Sequence, residues 1–299
     1  MNLFCARGYR RRSVAGEEQP LCPCAALGTS ARKGGGDMTR VYGHFGELLQ
    51  GRIGSFGPVA LVTLPCPTLY AEAGLTQSRA FGLYQSQKAL APTALRFLLQ
   101  DLGLPVRGKF FLRLSMPLGG GAGASTAALL ALGMAAGAQP GGALEAAVLG
   151  AEGASDPLLH ARPERVLWAS RLGVVLEELP PLPRFEVLGG FLGPGQRTDP
   201  LDHHFPDISD LLAAWPGPDL ATMANLASQS ARRTLALRGP ANDPTEDLAR
   251  RHGALGFCIA HTGAARGLIF APRTVPQAAA ADLRAAGFSR ITQFGCGGL

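Results

Sequence analysis

The sequence is poor in several things, and each shortage removes a class of protein. Only 17% of its 299 residues are charged and 7% are aromatic. No basic stripe is interleaved with aromatics, so nucleic acid is not an expected partner. The formal charge of +6 does not change this, because residues 1–37 carry half of it, six Arg or Lys against three acids. The six cysteines, Cys5, Cys22, Cys24, Cys66, Cys258 and Cys296, have no spacing that suggests a disulfide framework. A reducing cytoplasm is the expected compartment. Cys22-Pro-Cys24 is too isolated for a zinc site, which needs about four ligands. The start lacks the apolar run of a signal peptide. Leu114 to Leu144 holds no charged residue, yet it is rich in Gly and broken by Pro117 and Pro140. A buried loop and helix are expected there rather than a membrane span.

What is present is organised around Pro117-Leu-Gly-Gly-Gly-Ala-Gly-Ala-Ser-Thr-Ala-Ala128. A strand-like run, Lys109 to Met116, leads in. A small-residue helix to about Ala138 leads out. Gly119, Gly120, Gly121, Ala122, Gly123 and Ala124 include no large side chain, so the backbone can approach a ligand closely. The helix opening at Ala124–Ser125 adds free N–H groups and the positive end of its dipole. Such a segment suits phosphates. Ser125 and Thr126 bring hydroxyls to the place where magnesium can be held. No Lys precedes Ser125 or Thr126, which excludes a Walker A loop. A dinucleotide fingerprint fits Gly119-x-Gly121-x-x-Ala124 only loosely, since it wants an acid roughly 20 positions on at a strand end. The next acid, Glu145, lies in a helical stretch. An ordinary glycine turn stays open on physics alone, as does a plain N-cap role for Ser125.

Around this centre the periodicities predict an α+β chain. Residues 1–37 show no period and read as a disordered basic extension. Pro58 to Cys66 and Thr68 to Ala73 are β-rich runs, divided by Pro65-Cys66-Pro67. Residues 88–102 are helical by the spacing of Leu95, Leu98, Leu99 and Leu102, with Pro92 in the first turn. In the strand 109–116, parity puts Phe110, Leu112 and Leu114 on one face and Lys109 and Arg113 on the other. A helix follows from Gly142 to about Glu152, then a hairpin of 165–171 and 174–179. Pro180-Pro-Leu-Pro183 marks a domain junction. Helices are expected at 207–215, 219–237, 243–252 and 276–286, and strands from Phe185, at 256–261, 266–271 and 289–294.

Three motifs give the chain a family resemblance. The loop Pro-x-Gly-x-Gly-x-Gly-x-Ser-x-Ala resembles the second motif of the GHMP kinases, the superfamily of galactokinase, homoserine kinase and mevalonate kinase. Ala124 stands where that family often has a first Ser. Gly46-Glu47-Leu48-Leu49-Gln50-Gly51 resembles the start of the L-threonine kinases of cobalamin synthesis and propanediol utilisation, with Phe45 where they usually have Cys. Ala260-His261-Thr262-Gly263 resembles their Ala-His-Ser-Gly turn. The resemblance covers about Met38 to Leu299. It implies a two-domain GHMP kinase fold: an N-terminal ribosomal-protein-S5-like domain over 38–182 that binds nucleotide, and a C-terminal ferredoxin-like α+β domain over 183–299. It implies ATP and Mg2+ as cofactors and L-threonine as acceptor, and it leaves a homodimer open. By the same resemblance Pro117 and residues 119–126 cradle the nucleotide, Ser125 and Glu152 hold magnesium, and Asp156 takes the hydroxyl proton. Glu145 is a rival for Glu152, and a mere turn before Pro157 is the rival reading of Asp156. Glu47, His261, Thr262 and Gly263 fall on the substrate side. His44, His160, His203 and His204 read as surface or structural, the last two pointing apart in a strand.

Overall fold

Strict alternation in one strand shows which way the sheet faces. In Gly108–Leu114, Phe110, Leu112 and Leu114 are buried while Lys109, Phe111 and Arg113 are exposed, the period of a strand with one face on the core. The structure, a computed structural model, describes residues 28–32 and 35–298. In chain order the elements are β1 (Gly28–Arg32), β2 (Gly35–Arg52), β3 (Val59–Thr76), β4 (Phe81–Gln85), α1 (Pro92–Asp101), β5 (Gly108–Leu114), α2 (Ala124–Ala135), α3 (Gly142–Glu152), β6 (Val166–Ala169), β7 (Val174–Glu178) and β8 (Phe185–Phe191). There follow α4 (Ser209–Ala213), α5 (Leu220–Arg238), α6 (Thr245–Arg251), β9 (Gly256–Ile259), β10 (Ala265–Phe270), α7 (Ala279–Ala285) and β11 (Ser289–Cys296).

The strands form a single mixed sheet in the order β11-β8-β10-β9-β2-β3-β5-β4, with β1 on β2 and the β6–β7 hairpin on β3. The pairs are antiparallel except β4 with β5, which α1 connects as a crossover. The β9 end joins the β2 end at one residue pair, Glu47 opposite Ile259. Helices α2 and α5 lie on β2, and α6 and α7 cover β8 to β10. Helix α2 is buried nearly all round, as its Ala, Gly and Leu composition requires.

Several expectations are corrected. The two early runs are one strand, β3, which passes through Pro65 and Pro67. Prolines cannot donate to a ladder, and they are accommodated where the β2–β3 register shifts, around the pair His44 and Pro65. Within the expected extension 1–37, Gly28–Arg32 and the first residues of β2 pair with one another, which covers an otherwise open edge of β2. Residues 1–27, 33 and 34, with Cys5, Cys22 and Cys24, lie outside the described residues. β4 had no counterpart in the sequence reading. His203 and His204 are exposed in a loop, not a strand. The expected junction at 180–183 falls between β7 and β8; one hydrophobic cluster includes Leu48, Leu129, Phe185, Met223 and Ile269, and a second includes Leu188, Phe257 and Leu283. Among the described residues no helix is long and apolar enough to cross a membrane.

Candidate functional site

The glycine loop lies between β5 and α2, and its backbone polarity is sorted. Gly119, Gly121 and Gly123 all have left-handed φ, at 67°, 71° and 67°, which glycine adopts without a Cβ clash. Every carbonyl from 119 to 122 is tied down outside the loop. That of Gly119 accepts from Gln196 N–H, Gly120 from Ala265, Gly121 from Gly46 and Ala122 from His44, at 2.9, 2.8, 3.1 and 3.2 Å. A peptide N–H points opposite to the carbonyl of its own peptide unit, so the N–H groups of 121, 122 and 123 face the other way. Those of Ala124, Ser125 and Thr126 join them, since the first intrahelical bond of α2 is donated by Ala127, to Gly123 O. The result is a concave array of donors at a helix N-terminus, built for an anion. Pro117 closes the turn by accepting from Gly120 N–H.

This array lines a cavity of about 340 Å3. Its lining includes the apolar Leu90, Ala91 and Ala94 and the polar or charged Asp156, Ser170, Arg171, His261 and Thr262. Glu152, from the last turn of α3, and Asp156, just beyond it, reach the cavity beside the loop. Thr126 donates to Glu152 Oε2 at 3.2 Å. The Glu152 carboxyl is pushed up to about 8, first by burial and then by the charge of Asp156, against the pull of Thr126 and Arg197. Asp156 behaves in the opposite way. Burial disfavours its charge, yet the His44 imidazolium outweighs burial and holds it below the usual carboxylate range, helped by His261 and Thr126. His44 Nε2 lies 3.4 Å from Asp156 Oδ2. Burial opposes a charge on His44 as well, but Asp156 and then Glu47 raise it to about 9.

Behind this wall Glu47 is fully buried between two imidazoles. Its Oε1 lies 3.7 Å from His44 Nδ1 and 3.5 Å from His261 Nδ1, and its Oε2 accepts from His261 N–H at 2.8 Å. The motif 46–51 and the turn 260–263, far apart in sequence, are therefore one contact. Gly263 packs on the loop so closely that a Cβ there would sit 2.1 Å from Gly121 N.

Of the residues singled out from sequence, Gly119, Gly120, Gly121, Ala122, Gly123, Ala124, Ser125, Thr126, Glu152, Asp156, His261 and Thr262 line one cavity. Glu145 lies 3.6 Å from His160 Nε2, away from the cavity, because seven residues along α3 separate it from Glu152. Ser125 sits at the rim, whereas Thr126 is the hydroxyl on Glu152. Glu47, expected on the substrate side, supports the wall from behind. His44, read as surface or structural, is 2% exposed and touches Asp156. A signal was there, its place three residues before Glu47, but simple strand parity hid it and the register shifts of β2 restored it. Arg171 and Arg197 also line the cavity and carried no sequence signal. Among the described residues no cluster of three or more His, Cys, Asp or Glu is placed to hold a metal. The donors do suit magnesium shared with phosphates, which takes one or two carboxylates and hydroxyl or phosphate oxygens. Glu152 beside Thr126, a buried carboxyl next to a hydroxyl, fits that need.

No protein-family model and no curated protein matches the sequence. Solved structures do. A mevalonate kinase of Methanococcus jannaschii superposes with a TM-score of 0.64 at 11% identity, covering 90% of this chain and 100% of its own. A protein assigned as the homoserine kinase of Listeria monocytogenes gives 0.57 at 17%, covering 86% and 94%. A 4-(cytidine 5'-diphospho)-2C-methyl-D-erythritol kinase gives 0.52 at 21%, covering 88% and 100%. At such identities the likeness is one of fold: the chain has the α+β fold of the GHMP kinases.

Proposed function

We propose that this chain, built on that fold, is an ATP-dependent kinase that phosphorylates the side-chain hydroxyl of L-threonine, giving O-phospho-L-threonine and ADP. The observation that carries the kinase reading is the donor array at the start of α2, with Asp156 and Glu152 beside it in the same cavity. The threonine reading rests on the resemblance of 46–51 and 260–263, which meet through Glu47 and His261. In cobalamin synthesis the product is a source of the aminopropanol phosphate arm.

Phosphoryl transfer asks for positioning and charge neutralisation more than covalent chemistry. The N–H groups of 121–126 would hold the phosphates, and Leu90, Ala91 and Ala94 would take the base. Glu152, Thr126 and Ser125 would hold magnesium, which would supply positive charge against the phosphates. The acceptor hydroxyl oxygen attacks the γ-phosphorus as the bond to the ADP oxygen breaks, and its proton passes to Asp156. His44 keeps that carboxylate ionised and therefore able to accept.

The test is product analysis with magnesium-ATP and L-threonine, L-serine or L-homoserine, run on the parent and on Asp156→Asn. Phosphothreonine as preferred product is expected, with turnover in the variant lower by about 10²–10⁴-fold and nucleotide binding by calorimetry nearly unchanged. Phosphohomoserine as preferred product moves the reading to a homoserine kinase. No ADP with any acceptor turns it to a nucleotide-binding regulator.

A further inference from the structure

The cavity lining also holds a cation with no carboxylate in ion-pair contact. Arg171 follows β6 and lines the cavity together with Asp156 and His261. Its guanidinium is fixed by neutral groups only. One terminal nitrogen donates to Ser170 Oγ at 2.7 Å, the other to the carbonyls of Asp199 and Asp202, each at 3.4 Å. Its Nε is buried and makes no hydrogen bond. No carboxylate among the described residues lies within ion-pair distance of it. The nearest candidate, Asp202, is taken by Arg238 at 2.7 Å. Both guanidiniums lie over the ring of Phe205, at 5.2 Å for Arg171 and 4.0 Å for Arg238. The His261 ring leans on the same phenyl at 5.6 Å and leaves both of its nitrogens without a hydrogen-bond partner.

A half-buried charge without an ion pair is costly, and burial does lower the Arg171 pKa. Such an arrangement is stable enough to persist when a ligand supplies the missing charge. The planar fork of an arginine matches a carboxylate in two parallel hydrogen bonds. Asp202, Asp156 and Asp199 are too far away to form an ion pair with it, yet close enough to steady the cation. Resting on the kinase reading above, we infer that Arg171 binds the carboxylate of the acceptor, so that the acceptor is a small hydroxy acid anion whose hydroxyl faces Asp156. This makes Arg171 a specificity-determining residue.

The experiment compares L-threonine with L-threoninol, which has a hydroxymethyl group in place of the carboxylate, in the parent, Arg171→Gln and Arg171→Lys. In the parent, KM for L-threonine should be far lower than for L-threoninol. Arg171→Gln should raise KM for L-threonine by roughly 10- to 100-fold, the usual worth of a hydrogen-bonded charge, with little change in kcat and no change for L-threoninol. Arg171→Lys should fall between. Equal KM values for the two acceptors in the parent, or the same preference in Arg171→Gln, would overturn the inference while leaving the kinase reading intact. Should no acceptor be phosphorylated, calorimetry of L-threonine with a non-hydrolysable ATP analogue present separates the two ideas: binding lost in Arg171→Gln supports the carboxylate site, and equal or absent binding sinks it.

Discussion

At the residue scale the site is defined by two carboxyls four positions apart that titrate in opposite directions. Asp156 has an imidazolium at 3.4 Å and stays ionised; Glu152 has burial and a neighbouring negative charge, and rises to about 8. A carboxyl whose folded pKa lies above its unfolded value stabilises the fold below the unfolded pKa and loses that contribution as pH rises through the folded one. For Glu152 the window runs from 4.5 to about 8. His44, raised from 6.5 to about 9, follows the same sign over its own window, so the ligand-free protein should lose stability steadily as pH rises from 4.5 to about 9. Glu152→Gln removes only the Glu152 contribution. Its melting temperature should gain on the parent's between pH 5 and pH 9, while its affinity for magnesium-ATP falls. A gap in melting temperature that does not change with pH would show that Glu152 is not held neutral. Asp156 and Glu152 were singled out in the sequence through the family resemblance, and the structure places Glu152 at the end of α3 with Asp156 just beyond it. His44 was not, because its role depends on bulges that move it off simple strand parity. Arg171 was not, because a missing counter-ion is a property of three-dimensional neighbours.

At the scale of elements, helices and strands with a clear period were readable from the sequence. α1 begins at Pro92 as its first-turn proline requires, α3 has the expected bounds, and the alternation of β5 is as expected. What failed was the reading of prolines as breaks. Pro65 and Pro67 are tolerated inside β3 because the partner strand is irregular there, a fact about β2 rather than about the prolines. β4 stayed hidden because it is short and only partly buried. The glycine loop is the element whose conformation is most tightly specified. At Gly121, with φ of 71°, a Cβ would lie 2.1 Å from the Cβ of Ala260. Gly121→Ala should cost about 2 kcal/mol or more, combining left-handed strain and overpacking. Gly103 isolates the first part, since it has φ of 65° and open space around its Cβ position. Urea unfolding of Gly121→Ala and Gly103→Ala should therefore differ, with the loop variant less stable. Equal losses would mean that the turn 260–263 yields readily.

At the scale of the whole molecule the sheet is continuous, but its middle seam is a single residue pair, Glu47 with Ile259. Other bonds carry the load there. The carbonyls of the glycine loop are held by residues 44 and 46 from near the start, by Gln196 from the middle and by Ala265 from near the end. A fragment covering 38–182 contains the whole loop, both carboxyls and His44, yet lacks two of the four groups that turn the loop's N–H donors inward. It should bind magnesium-ATP far more weakly than the full chain, even if it is helical by circular dichroism. Binding of equal strength in calorimetry would show that the loop shapes itself. The same tether carries a consequence for biosynthesis. The loop is synthesised well before its last anchor, Ala265. A nascent chain on this design has no complete donor array until residue 265 has left the ribosome, so ATP should not assist the folding of any shorter chain.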